Sequence, residues 1–269
     1  MNISYQIVVC GGIVPDPLQT LEPVITANGP ALKNEMLLPH VLDPWSGHAL
    51  YEAAHLARQY AGSKVWLVSV APKTKLQQVM MTIGQRVPLE LVAIEGPASG
   101  FTDAADVAAA LAAGIEGIAG LDRSRLLVFG GWESASRAAG VTMQMVGERL
   151  GIVDQFQGVD ELTVANDGAL RILERIEGGQ HQVSVCAGPP VLVGWATGNL
   201  PEPPNNPQIG MQNMRAIMPA LQKAKAARIS NGARFQSVAL PKQQRATQVV
   251  KDKGTEEIAR EIVAWIRAE

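Results

Sequence analysis

The chain is poor in the features that would make it specialised. It has only two cysteines, Cys10 and Cys186, both inside apolar strand-like runs. A disulfide framework is therefore excluded, and both read as buried thiols of a reducing compartment. The net charge is only −2, which argues against general nucleic-acid binding. The stretch 211–253 carries nine Lys or Arg against one acid, Asp252, but holds a single aromatic, Phe235. Without stacking platforms it reads as a solvated arm facing an acidic partner surface, not as an RNA site. No apolar run approaches the roughly 18 residues a membrane span needs, and residues 1–10 lack a basic leader, so a cytoplasmic location is expected. Four histidines (His40, His48, His55, His181) stand without a Cys pair or dense carboxylate cluster, so no metal site is expected. There is no internal repeat and no low-complexity tract.

What is present is an ordinary globular composition, 47% hydrophobic and 18% charged over 269 residues, sufficient for a large core. The chain is organised around residues 125–151. Leu126 to Phe129 make a short buried-type strand, and Gly130 and Gly131 let the backbone turn without a Cβ clash. Ser134, Ala135 and Ser136 then lead into a helix with Ala139, Met143, Val146 and Leu150 on one face and Gly151 as its stop. Strand, glycine turn and open helix N-terminus leave free N–H groups pointing above the sheet, an arrangement suited to a phosphate. Ser134, Ser136 and Thr142 add hydroxyl donors, and Arg137 adds charge. On spacing alone, a mere tight connection explains the turn as well as a ligand site does.

The first half of the chain alternates strand and helix. Strands are expected at 5–10, 65–70, 90–94 and 126–129. Helices are expected from Asp43-Pro44-Trp45-Ser46 onward (Ser46 as N-cap), over 73–83, and over 103–118. Short strands with helices between them mean right-handed crossovers and a doubly wound, mainly parallel α/β sheet. After residue 151 the pattern changes. Residues 158–165 and 169–177 alternate around Asn166-Asp167-Gly168, a hairpin signal, and 181–187 and 190–197 add two strands in an antiparallel extension. Residues 198–210 are dense in proline, glycine and asparagine and read as an exposed loop, and a last amphipathic helix covers about 255–267. The expected division is a nucleotide-binding domain over 1–197 and a partner-docking loop with a C-terminal arm over 198–269.

Four stretches in this order resemble the β subunit of the electron transfer flavoproteins. Residues 7–16 (IVVCGGIVPD) match the family's first strand and V-P-D turn. Residues 42–54 match its Asn-Pro-Phe motif, with Asp43 and Trp45 as replacements, and residues 68–72 (VSVAP) match V-S-x-G-P. In the stretch around 131–144, Gly131, Thr142 and Gln144 fall on matching places, while Ser136, Arg137 and Ala138 replace the family's acidic pair. Residues 199–228 resemble the family's tail, with Ile217-Met218 kept.

The resemblance implies an adenine-nucleotide-binding, Rossmann-like fold. It implies a heterodimer with an α subunit whose FAD this chain helps to shield, an electron carrier and not an enzyme. It also implies a structural AMP, held by Gly131, Trp132, Ser134, Ser136, Arg137 and Thr142, with Cys10, Asp43, Pro44, Trp45, Ser46 and Val70 closing over the adenosine. Acyl-CoA dehydrogenase-type flavoenzymes, or a quinone oxidoreductase, would dock on a loop at about 205–218, through Met211, Met214, Ile217 and Met218. Electron-bifurcating members bind a second FAD in place of AMP. They typically carry a D-G-D-T-like run that this turn lacks, so AMP is favoured. Two other readings are weaker. A nucleophile elbow fails because Ser134 lacks the flanking glycines and His181 has no convincing partner. A stand-alone nucleotide-binding regulatory module would leave the long tail without a purpose.

Overall fold

The computed structural model describes residues 3–27, 29–97, 100–230, 236–239, 242, 247 and 249–267. Phe235 lies outside them. In chain order the elements are β1 (Gln6–Cys10), β2 (Ile13–Pro15), β3 (Pro23–Thr26), β4 (Gly29–Leu32) and β5 (His40–Leu42). Then come α1 (Pro44–Gln59), β6 (Lys64–Val70), α2 (Lys73–Ile83), β7 (Glu90–Glu95), α3 (Ala104–Glu116), β8 (Leu126–Gly131) and α4 (Thr142–Arg149). The remainder is β9 (Asp154–Val164), β10 (Leu170–Ile176), β11 (Gln180–Cys186), β12 (Val191–Trp195), α5 (Pro207–Gln222), β13 (Lys225–Ala226) and α6 (Thr255–Arg267).

Nine strands form one sheet in the order β11-β10-β9-β12-β8-β1-β6-β7-β13. From β9 through β12, β8, β1, β6 and β7 to β13 every pair is parallel, and only β9–β10 and β10–β11 are antiparallel. The central strands β1 and β12 are buried throughout, as strands covered on both faces must be. One face packs Leu50, Leu67, Met80, Phe129 and Ile217 in a core beneath α1, α2 and α5. The other packs Val8, Val68, Leu111, Val128 and Val146 beneath α3 and α4.

Helix α2 occupies the expected 73–83, with Leu76, Val79, Met80 and Ile83 buried. Four expectations are corrected. β12 is not an antiparallel partner of β11: it inserts parallel between β8 and β9, where Val191, Val193 and Trp195 are buried in the core. The N-cap of α1 is Asp43, which accepts from the Trp45 N–H, and not Ser46. Helix α4 starts at Thr142, because Ala138 (φ 50°) and Gly140 (φ 63°) are left-handed and interrupt any helix from 134 onward. Residues 198–210 do not stay irregular: Asn206 caps α5 and Pro207 opens it, a placement proline favours.

The described contacts divide the chain into a unit Met1–Val238 and a unit Ala239–Glu269. The boundary expected at 197/198 thus falls inside the first unit, because Ile217 and Leu221 of α5 are buried in its core and β13 joins its sheet. In the second unit, α6 leaves Ile262, Val263, Trp265 and Ile266 exposed. Among the described residues no helix is long and apolar enough to cross a membrane.

Candidate functional site at the strand switch

Strand order reverses between β1 and β8. From β1 the chain steps outward through β6 to β7, then returns by α3 to β8 on the other flank of β1. In open α/β sheets the carboxyl ends of strands diverge at such a point and leave a crevice. Here Cys10 pairs with Gly130 on one side and with Val68 on the other. Above them opens a small cleft of about 130 Å³.

One wall is the β1–β2 turn with the start of α1. The Asp43 N–H donates to Gly12 O (2.8 Å) and the Gly12 N–H to Ser46 Oγ (3.3 Å). The opposite wall is the loop 132–141. Gly131 allows these walls to meet: a Cβ there would lie 2.5 Å from Trp45 Cβ and 2.9 Å from the Glu133 carbonyl oxygen. Asp43, 1% exposed, ties them together. Its Oδ1 accepts from the Trp45 N–H at 3.1 Å and its Oδ2 from the Ala135 N–H at 2.8 Å. Burial pushes the Asp43 carboxyl up to about 6, against the opposing pull of backbone N–H groups from Ala135, Trp45 and Ser46.

Within the loop, Ser134 Oγ accepts from the Arg137 N–H (3.2 Å) and lies 3.3 Å from Ser136 Oγ. The Arg137 guanidinium donates to the Thr102 carbonyl, bridging the loop to the β7–α3 connection. Helix α4 has no side-chain cap at its N-terminus, so the first-turn N–H groups and their partial positive charge face this end of the cleft. Trp132 Nε1 is buried and has no hydrogen-bond partner among the described residues. The Cys10 thiol is pushed up to about 12 by burial, so it lines the floor as a neutral group.

Of the residues expected at the site, Cys10, Asp43, Ser46, Val70, Gly131, Trp132, Ser134, Ser136, Arg137 and Thr142 all line this cleft. Pro44 is the exposed first residue of α1, and Trp45 stands behind Gly131. Sequence reading missed the third wall, Thr102, Val107 and Leu111. The available signal was Asp103, the N-cap of an alanine-rich helix whose preceding loop closes the other flank of a strand switch. His181 lies 3.1 Å from Asp160, not beside Ser134. No group of His, Cys, Asp and Glu able to hold a metal occurs among the described residues.

The expected docking residues all lie on α5 and separate by face. Met211 is 63% exposed and Met218 36%, Met214 is half-buried against the core, and Ile217 is completely buried.

Hydroxyls, a guanidinium-bearing arginine and an uncapped helix N-terminus gather around one apolar-floored cleft. An uncapped helix N-terminus beside hydroxyls and a guanidinium is the kind of surround that suits an anion. Fold and cleft together define an open, mainly parallel α/β protein with a Rossmann-like sheet and a cleft at its strand switch. The electron transfer flavoprotein domain family model matches residues 35–231, which takes in the start of α1, the 131–142 turn and α5. The chain belongs to this family of electron carriers. No curated protein matches it.

Proposed function

We propose that this chain is the β-type subunit of a heterodimeric electron transfer flavoprotein. In this reading its cleft holds AMP as a structural ligand, and the redox-active FAD is shared with an α-type partner. The observation that carries it is the coincidence of two independent facts: the family match spans the cleft walls, and the walls present donors to an anion at the strand switch. The adenosine would lie over Cys10 and Val70, with the phosphate toward Arg137, Ser134 and the start of α4. FAD supplies the electron-carrying chemistry when bound. This chain orients and shields it and presents α5 to acyl-CoA dehydrogenase-type flavoenzymes or a quinone oxidoreductase. The exposed apolar residues of α6 favour a permanent partner over a stand-alone module.

Co-expression with the α-type partner tests this. The expected product is a yellow 1:1 complex that releases one FAD and one AMP per pair on denaturation. The chain alone is expected to be flavin-free and prone to self-association. Two FADs per pair would overturn the AMP assignment in favour of an electron-bifurcating subunit. A compact monomer without any adenine nucleotide would overturn the whole reading.

A further inference from the structure

The segment that leaves β12 and carries the exposed methionines is fastened at three points, two by side chains of other elements and one by its own Asn213. At its start, Glu52 of α1 is 6% exposed, and its Oε1 accepts from the N–H groups of Asn199 and Leu200, both at 2.9 Å. Gly198 (φ +65°) brings the chain so close that a Cβ would lie 2.5 Å from that same oxygen. Midway, the Arg86 guanidinium pairs with the Glu202 carboxylate, and its Nε donates to Asn205 Oδ1 at 2.9 Å. At the far end Asn213, on α5 and 6% exposed, donates through Nδ2 to Gly84 O (2.6 Å) and Val87 O (2.7 Å). Its Oδ1 accepts from the Leu89 N–H at 3.3 Å.

Packing alone would be served at either buried position by an apolar side chain, because burying a carboxylate or amide costs free energy unless its bonds are made. Among the described residues the hydrogen bonds of Glu52 and Asn213 go to backbone groups, and each fixes the segment 198–222 to α1 or to the turn after α2. The geometry is that of a surface set before use.

We infer that Glu52 and Asn213, with Arg86 between them, are positioning residues for the docking face of α5: they hold Met211 and Met218 in place in the unbound protein. A partner then meets an ordered apolar stripe and loses little affinity to ordering a proline-rich tether. This inference rests on the docking reading given above.

The test uses the FAD-loaded complex with its α-type partner and two measurements. Hydrogen exchange should be slow at the Asn199 and Leu200 amides. It should be about a hundredfold faster in Glu52→Ala, and largely restored in Glu52→Gln, which keeps a carbonyl acceptor. Steady-state reduction is then followed with a medium-chain acyl-CoA dehydrogenase reduced by octanoyl-CoA as the probe. Glu52→Ala, Asn213→Ala and the more exposed Arg86→Ala should each raise KM for the dehydrogenase about tenfold, with kcat within twofold of the parent. Unchanged exchange in Glu52→Ala overturns the inference. So does faster exchange with unchanged KM while Met211→Ala raises KM, and in that case docking on α5 stands. If the parent complex is not reduced, or Met211→Ala and Met218→Ala leave KM unmoved, the docking reading falls and takes the inference with it.

Discussion

Two irregular stretches, 132–141 and 198–206, are each tied to α1 by one buried carboxylate, and they are built to different ends. Asp43 divides its oxygens, one for its own helix and one for Ala135. The loop is thus held to α1 on one side and by Arg137 to the Thr102 carbonyl on the other, and the cleft lies between these ties. Glu52 gives one oxygen to two consecutive N–H groups, and the segment beyond is held again by Arg86 and Asn213. The first arrangement encloses a space; the second presents a face. The same helix therefore sets the geometry of the cleft and of the segment leading into α5 by placing its two buried carboxylates differently.

The largest effect should come from glycines that allow each close approach. Gly131→Ala puts a Cβ against the Trp45 Cβ and the Glu133 carbonyl, so a loss of about 3 kcal/mol is expected in urea unfolding. AMP binding should go with it. Gly198→Ala, strained by its positive φ and by the Glu52 contact, should cost about 2 kcal/mol yet leave AMP binding unaltered. Equal loss of AMP binding in both variants would erase the distinction between the two stretches.

Next is a pH effect. Asp43 is raised from its ordinary 3.8 to about 6, so the native state takes up its proton more readily than the unfolded chain. Its stabilising contribution is complete below the unfolded value and is lost as pH climbs through about 6. Asp43→Asn does not titrate. Between pH 4 and 7 its stability relative to the parent should therefore improve by about 2 kcal/mol, read from urea midpoints across the range. A difference that stays constant with pH would refute the assignment.

Arg137→Ala should weaken AMP binding about tenfold in calorimetry while barely moving the unfolding midpoint, since a charge-assisted bond to phosphate is lost from a surface loop. Smallest of all, Met211→Ala, at an exposed position, should change stability by less than about 0.5 kcal/mol and AMP binding not at all.

Much of the parallel half was legible because its signals are local. Helix 73–83 and the glycine edge at 130–131 are written in periodicity and in backbone freedom, and the cleft gathers residues expected at the site from four separate stretches. What was not legible depended on distant partners. The residues of β12 are apolar enough for any buried strand, and only the sheet order decides that they pair with Leu127 and Asp154 instead of β11. Asp43 and Ser46 are both good caps on sequence; the choice is made by Gly12, which takes the Ser46 hydroxyl. Ile217 and Met218 are adjacent and similar, and only α5 packing on the sheet buries one and leaves the other exposed. The helix itself was overlooked at Asn206-Pro207, where a cap followed by proline was readable as a start.

The unsatisfied indole of Trp132 gives the molecule an optical gauge of its own. A molecule entering the cleft that Trp132 lines would change the surroundings of its ring and shift the emission of one of the chain's five tryptophans. Filling and emptying of the cleft can then be timed without a label, with Trp132→Phe as the silent control.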